Sequence, residues 1–412
     1  MADLQEGIYH AKGMRPGDAF GILFLRAAED KTAAEVGHAI AEIWQILQGV
    51  KNGQIPDLPG HEVPKGDLSV LIGYGQNAFK LDGAQKTLPV ELTQGKFLSP
   101  LPSGGGPLLG GSGLGYGSDV RVNAATEEVM LQFIGTSELA VNRAVVEVWK
   151  YLHDTTDPLT ARSTLLISAF YTGFQRDDAR SWIDFHDGIS NMRSEERVRA
   201  IQIKVGGAAA DAWAIGGAYL AFIRVSVDLV AWRGLTKEQQ EIVVGRDKLT
   251  GAPLVSVDAQ GKPVPIAGCP VAGTTQIIDH GNEAFREPSN VGPGPIKSSH
   301  VHRANHHLGD ISNPASARVY RQGYEFLETC PEPPGFRVGL NFVSFQDTPR
   351  RLTKVMLTQK SWLGSTNFGG EEDAHQPLPG MAKFLQVRAA GMFIVPPVVA
   401  GETFPGAAIF GV

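Results

Sequence analysis

Two short segments, more than a hundred residues apart, carry the groups of this chain best suited to chemistry. The first is Phe185-His186-Asp187-Gly188-Ile189-Ser190-Asn191. The second opens as Ser299-His300-Val301-His302-Arg303-Ala304-Asn305 and continues to Arg318-Val319-Tyr320-Arg321-Gln322-Gly323-Tyr324. Asp187 is a carboxylate in a glycine turn, His300 is a histidine able to bind metal, and Arg321 is a cation 21 residues beyond it. A ligand below an iron, with an acid–base group and a cation above it, is the equipment of a haem site that splits peroxide.

Each group has a plainer reading when taken alone. Aspartate before glycine suits a tight turn with no chemistry, and a single arginine is more often a surface cation. His300, His302, His306 and His307 are the densest histidine set in the chain, and His302 and His306 have i,i+4 spacing. That leaves a zinc or non-haem iron site open, although no cysteine lies nearby and no glutamate sits between the two on a convincing helix. Residues 102–117 are rich in glycine, but no strand leads in and no helix follows. A phosphate cradle would lack its scaffold there, and a surface loop is expected.

Groups so far apart must be brought together by a framework, and the first half of the chain shows its pattern. Ala19 to Ala27 reads as a buried strand and Thr32 to Val50 as an amphipathic helix. Leu68 to Gly73 and Glu128 to Ile134 read as strands. Ser137 to Leu152 reads as a helix with Ser137 as N-cap, and Ser163 to Tyr171 as a fourth strand. This β-α-β-β-α-β order is the split unit of a ferredoxin-like fold. The second half repeats it less plainly: strand Gly217 to Leu229, helix Thr236 to Val244, strand Val338 to Gln346, helix Thr348 to Gln359 and strand Met392 to Pro396. Between them the Gly/Pro-rich stretch from Gly251 to Asn313 carries the histidines, and loops of that length are usually functional or disordered. The expected fold class is α+β: two ferredoxin-like domains with antiparallel sheets, residues 1–200 and 201–412, joined through about residues 172–215.

Composition narrows the function classes. With 42% hydrophobic and 19% charged residues, the chain of 412 can bury a real core and is not disordered. A net charge of −6 without a Lys/Arg run argues against nucleic acid as the main partner. Cys269 and Cys330 cannot build a disulfide framework, which points to a reducing compartment. The start, Met1-Ala2-Asp3-Leu4-Gln5-Glu6-Gly7, has no basic or apolar export segment, so a cytoplasmic location is expected. Ala212 to Trp232 is the best candidate for a membrane span, yet it contains Arg224 and Asp228 and reads as a strand entering the core. The short apolar end, Ala407 to Val412, reads as packing.

The motifs together resemble those of the dye-decolorizing (DyP-type) haem peroxidases. The family's distal G-x-x-D-G is similar to Asp184-Phe185-His186-Asp187-Gly188, with Asp184 in place of the first glycine. Ser299 to Asn305 resembles the proximal S/A-H-I/V-R-x-A/T-N, and Arg318 to Gly323 resembles R-I-L-R-R-G. Gly245 to Leu254, Gly339 to Phe342 and Gly401 to Gly406 extend the likeness over most of the chain. Two departures stand out. Asp184 is expected to reshape the distal turn and add a second carboxylate near Asp187, and His306-His307 replace Pro-Arg.

The resemblance implies one haem b per chain in the C-terminal half, bound by His300 as metal ligand, with Ile189, Asn191, Leu340 and Phe342 as further cofactor contacts. It assigns catalysis to Asp187 and Arg321. Glu371, Glu372 and Asp373 are regional candidates for the group behind His300. The implied reaction reduces hydrogen peroxide and oxidises dyes, phenols or other small aromatic donors. It should peak below neutrality, because an aspartate base works only while ionised. Bulky donors would pass electrons through surface aromatics, with Trp182, Trp232 and Trp362 available, although core packing is the plainer role for each. A homodimer is compatible with such a fold, and neither nucleic acid nor membrane is an expected partner. Two other functions remain in view: a haem-handling protein with incidental peroxidase activity, and a non-haem metal enzyme built on His300 to His307.

Overall fold

The computed structural model describes residues 3–8, 17–93, 116–117, 127–158, 162–178, 180–187, 192, 194–204, 212–266, 294–304, 318–352 and 381–412. Strand β1 (Ala19–Ala27) is buried almost throughout because both its faces are covered. Phe20, Ile22 and Phe24 pack into one cluster, and Leu23 and Leu25 into another on the opposite side. In chain order follow α1 (Ala33–Lys51), β2 (Ser69–Tyr74), β3 (Val129–Gly135), α2 (Glu138–Asp154), β4 (Leu165–Phe174) and α3 (Ser194–Ile201). The second half contributes β5 (Ala218–Val227), α4 (Leu229–Arg233), α5 (Lys237–Val244), β6 (Leu254–Val257), β7 (Pro263–Pro265), α6 (His300–Ala304), β8 (Tyr320–Thr329), β9 (Phe336–Gln346) and β10 (Leu385–Val395).

Helix starts follow local chemistry. Thr32 and Glu35 form a reciprocal capping box at α1, and Thr236 and Gln239 do the same at α5. Ser137 sits at the N-cap of α2, but its side chain makes no capping hydrogen bond.

The strands run antiparallel in the orders β4-β1-β3-β2 and β10-β5-β9-β8, each the ferredoxin-like arrangement. The α+β class with two antiparallel sheets is therefore present. The sheets also join at both edges, β2 to β10 at Tyr74 and Ile394 and β4 to β8 at Phe174 and Glu325, to close a barrel. Closure leaves these strands without an open edge. Inside, Phe24 lies 5.5 Å from both Phe222 and Phe393, and Phe20 stacks on Tyr324 at 4.4 Å. The charge that argued against a membrane span is also accommodated. Arg224 of β5 donates to Asn341 Oδ1 at 2.6 Å and Glu328 Oε2 at 2.7 Å, beneath the ring of Phe326.

Several details differ from the sequence expectation. The Arg321 segment, given no element by the sequence pattern, is a strand, β8. A hairpin, β6–β7, occupies the start of the Gly/Pro-rich stretch. Beyond residue 352 the expected helix Thr348 to Gln359 lies outside the described residues, as does the glycine-rich stretch before Tyr116. The apolar end packs: Phe410 is buried with its ring 5.3 Å from that of Tyr74. Among the described residues no helix is long and apolar enough to cross a membrane.

Gly339 lies inside β9, the strand that carries Leu340 and Phe342. A Cβ there would run into the Val225 carbonyl oxygen and lie 2.7 Å from the Phe326 ring. Gly339→Ala is expected to lower unfolding free energy by about 1–3 kcal/mol, read from the urea midpoint. An unchanged midpoint would show that β5 and β9 can separate freely at this point.

Candidate active site

Tyr320 and Tyr324 of β8 enter the barrel core, so alternation places Arg321, Gly323 and Glu325 together on the outer face. Across the ladder these three oppose Ser344, Phe342 and Leu340 of β9, and opposed residues point to the same side. Gly323 leaves a notch between its neighbours. A Cβ at that position would sit 3.0 Å from Asp187 Oδ2 and 3.2 Å from Leu340 Cδ1. The Asp187 carboxylate thus rests over the strand beside Leu340, with a guanidinium two residues along it in one direction and a carboxyl two residues along in the other.

Desolvation sets the charges here. Burial draws the Arg321 guanidinium down from its ordinary range, and the negative charge of Asp187 acts in the opposite sense. Glu325 is only 6% exposed. Burial first, and then the neighbouring Asp187 charge, push its carboxyl up to about 9, while Arg176 opposes that rise. Its Oε1 has no hydrogen-bond partner among the described residues.

The loop that delivers Asp187 is short and tied down. Ser181 N–H donates to Phe185 O and Asp184 N–H to Ser181 O, both at 2.9 Å. Asp184 takes a φ of +67°, the left-handed conformation that glycine adopts without strain. The departure from the family's glycine therefore changes the residue and keeps a conformation that glycine favours. Nor does Asp184 supply the second carboxylate. Its side chain is 62% exposed and pairs with Lys248 at 3.4 Å. The acid beside Asp187 is Glu325. Arg180 fastens the loop from below, donating to Asp184 O at 2.6 Å, Lys248 O at 2.8 Å and Leu249 O at 2.9 Å.

The segment that carries His300 meets the same framework. Helix α5 ends at Gly245, whose φ of +92° and N–H bond to Glu241 O at 2.6 Å form its C-cap. A Cβ at Gly245 would lie 2.8 Å from Ser299 Cβ, so only glycine lets α6 begin here. Ser299 Oγ then accepts the His302 N–H at 3.4 Å, a long capping contact at the start of α6. Val301 packs with Phe185, Trp232, Val243, Val244 and Phe384, so one apolar cluster anchors both the residue after His300 and the residue two before Asp187. Burial, then the charges of Arg321 and Arg246, hold the His300 imidazole down at about 3. Arg246 is itself buried and donates to Gly251 O at 2.6 Å.

These residues suit a haem. A ligand imidazole must be neutral, and His300 is. Asp187, His300, Arg321 and Leu340 each keep part of their surface accessible although desolvation dominates the charges of His300 and Arg321. Such side chains face a sheltered space. Phe342 is 6% exposed and belongs to the outer core cluster. Ile189, Asn191, His306, His307, Trp362, Glu371, Glu372 and Asp373 lie outside the described residues. Trp232 is wedged between Phe185 and Phe384, a packing role. Trp182 is half-buried, donates Nε1–H to Phe326 O at 2.9 Å and lies under the Arg176 guanidinium at 4.8 Å. Among the described residues no three His, Cys, Asp or Glu side chains gather to hold a bare metal ion. Sequence reasoning missed Glu325 and Arg246. Once residues 320–329 are taken as a strand, Glu325 falls on the Arg321 face by alternation alone.

Asp184→Ala is expected to destabilise the protein by about 1 kcal/mol in urea unfolding, and Asp184→Gly to change it by less, since glycine tolerates the positive φ. Equal losses would mean that the Lys248 pair matters more than backbone strain. The pH dependence of stability tests Glu325. The fold keeps its proton up to about 9, whereas the unfolded chain releases it near 4.5. Between these values the folded state binds the extra proton, so this group makes stability fall as pH rises through that window. Glu325→Gln should flatten the slope in urea titrations at several pH values, and an unaltered slope would place the ionisation on another group.

The family model described as "Dyp-type peroxidase, C-terminal" matches residues 178–400, more than half of the chain. The dye-decolorizing peroxidase of Thermobifida fusca (strain YX) is 27% identical over 165 residues, covering 40% of this chain and 33% of that protein. The deferrochelatase of Shigella flexneri serotype 5b (strain 8401) is 28% identical over 131 residues, 31% of each chain. The chain thus spans about a third of the length of these curated relatives in the matched region. The solved structure of ferric DtpA from Streptomyces lividans shares the fold, with a TM-score of 0.68 at 19% identity, covering 100% of this chain and 98% of that one. With the family model spanning the Asp187 loop, the His300 helix and the Arg321 strand, this chain belongs to the Dyp-type peroxidase family.

Proposed function

We propose that this protein is a haem peroxidase that reduces hydrogen peroxide and oxidises organic electron donors, among them dyes and phenols. The observation that carries the reading is the Asp187 carboxylate seated in the Gly323 notch, with Arg321 on the same strand face and charge coupling from Arg321 to His300. His300 would hold haem b, one per chain, with Leu340 and Phe342, and with Ile189 and Asn191 as further contacts. When bound, the haem supplies the redox iron that accepts oxidising equivalents from peroxide. Asp187 takes a proton from the inner peroxide oxygen and returns it to the outer oxygen, which leaves as water. Arg321 stabilises the negative charge that develops as the O–O bond breaks. Leu340 fills the space beside Asp187 and keeps that side of the pocket apolar.

The division into residues 1–200 and 201–412 is supported by strand order, since β1–β4 precede it and β5–β10 follow. A cytoplasmic protein working with small donors, alone or as a homodimer, completes the reading. A haem-handling role is the second reading, favoured by the likeness to deferrochelatase. Asp187 and Arg321 weigh against it, because merely holding haem requires neither.

The test is the absorption spectrum of haem-supplied protein before and after peroxide. A strong Soret band is expected, lost in His300→Ala. The peroxide reaction should slow about 100-fold or more in Asp187→Asn. No Soret band in the unaltered protein would remove haem from the proposal. A normal peroxide reaction in Asp187→Asn would remove the base, as would dye oxidation that peaks above neutrality.

A further inference from the structure

Splitting peroxide is half of a peroxidase cycle. Over the whole cycle H2O2 + 2 e− + 2 H+ gives 2 H2O, so protons must enter the pocket as electrons arrive. A donor too bulky to approach Asp187 gives up its electrons, and its own protons, at the surface. The pocket then needs a titratable carrier between Asp187 and solvent.

Glu325 occupies that position. It shares the outer face of β8 with Gly323, whose notch holds the Asp187 carboxylate. It opposes Leu340 across one ladder and meets Phe174 at the seam where β4 closes the barrel. The side chain is 6% exposed, yet its Oε1 has no hydrogen-bond partner among the described residues. Burying a polar oxygen unpaired is unfavourable, and such groups are concentrated where chemistry uses them. The charged groups facing it are Asp187 on the pocket side and Arg176 and Asp178 on the outer side, while the Trp182 backbone amide hydrogen-bonds it. Arg321 lies four residues away on its own strand. Arg176 and Asp178 form a two-point ion pair at 2.9 and 2.6 Å, and the Asp178 side chain is 48% exposed. Asp187, Glu325 and the Arg176–Asp178 pair therefore form a sequence of polar groups from pocket to solvent.

We propose that Glu325 is the proton relay of the distal pocket. As the carboxylic acid it passes its proton to the Asp187 carboxylate, and the Glu325 carboxylate left behind takes a proton from solvent beside the Arg176–Asp178 pair. The relay rests on the peroxidase reading above. Its resting form is the neutral acid, in keeping with a carboxyl pushed up to about 9. Glu325 acts through Asp187 and is a positioning residue, not a group that meets peroxide itself.

The experiment compares the haem-loaded protein with Glu325→Gln, an uncharged side chain of the same shape. Infrared difference spectra across a pH titration, without peroxide, should show the carbonyl band of a buried protonated carboxyl that persists to about pH 9. The band should be missing from Glu325→Gln. In stopped-flow, return to the resting spectrum with a bulky dye should slow roughly tenfold or more in Glu325→Gln, and added formic or acetic acid should restore it. The alkaline limb of that return rate should vanish with the substitution. Absence of the band from the unaltered protein, or return at the unaltered rate in Glu325→Gln, overturns the relay and leaves the peroxidase reading standing. An unaltered protein that does not react with peroxide overturns both.

Discussion

A carboxylate and a guanidinium held together away from bulk water, Asp187 against Arg321, form the constraint to which the rest of the structure answers. Removing such charges from water costs several kcal/mol for each ion, and their attraction offsets this only if neighbours fix the geometry. Arg321 is fixed because β8 is hydrogen-bonded along β9 and its edge meets β4 at Glu325, within a closed barrel. Asp187 is fixed because Phe185 is packed in the apolar cluster and Arg180 binds three carbonyls around the loop.

The same dryness has two further effects. It keeps the His300 imidazole neutral, helped by the positive charges of Arg321 and Arg246, so the nitrogen lone pair is available to a metal over the whole working range. It also makes Glu325 hold its proton, because a second anion beside Asp187 would be both desolvated and repelled. One environment thus leaves both the His300 imidazole and the Glu325 carboxyl uncharged. A single apolar cluster, reaching from Phe185 to Val301, links the two sides of the pocket. Disturbance of that cluster would be felt by Asp187 and His300 together.

Much of this was legible in the residues. The apolar spacing of β1, α1, β3 and α2 marked the first ferredoxin-like unit, and the motifs around Asp187, His300 and Arg321 marked the family. Other features were not legible, for identifiable reasons. The segment from Tyr320 to Thr329 mixes Arg, Gln, Gly and Glu with aromatics, because its outer face lies against the Asp187 carboxylate while its inner face packs. A period-2 pattern is obscured when the outer positions carry polar and charged groups that are themselves buried. The departure at Asp184 looked like a new carboxylate in the site. Whether an acid points inward depends on backbone dihedrals and on Lys248, and neither can be read from the motif.

The residues by themselves determined which groups could do chemistry, which stretches of the first half must be strands and helices, and that segments resembling the family's distal and proximal motifs are both present. Those properties are local, set by side-chain type and by periods of two and 3.6 residues. Only the tertiary structure decided that the two sheets close on each other, and that Gly323 leaves the space in which Asp187 sits. It also decided that Glu325, not Asp184, is the acid beside Asp187. These are long-range properties. They arise from which strand edges meet and from which atoms are absent at the meeting point, and neither has a period along the chain.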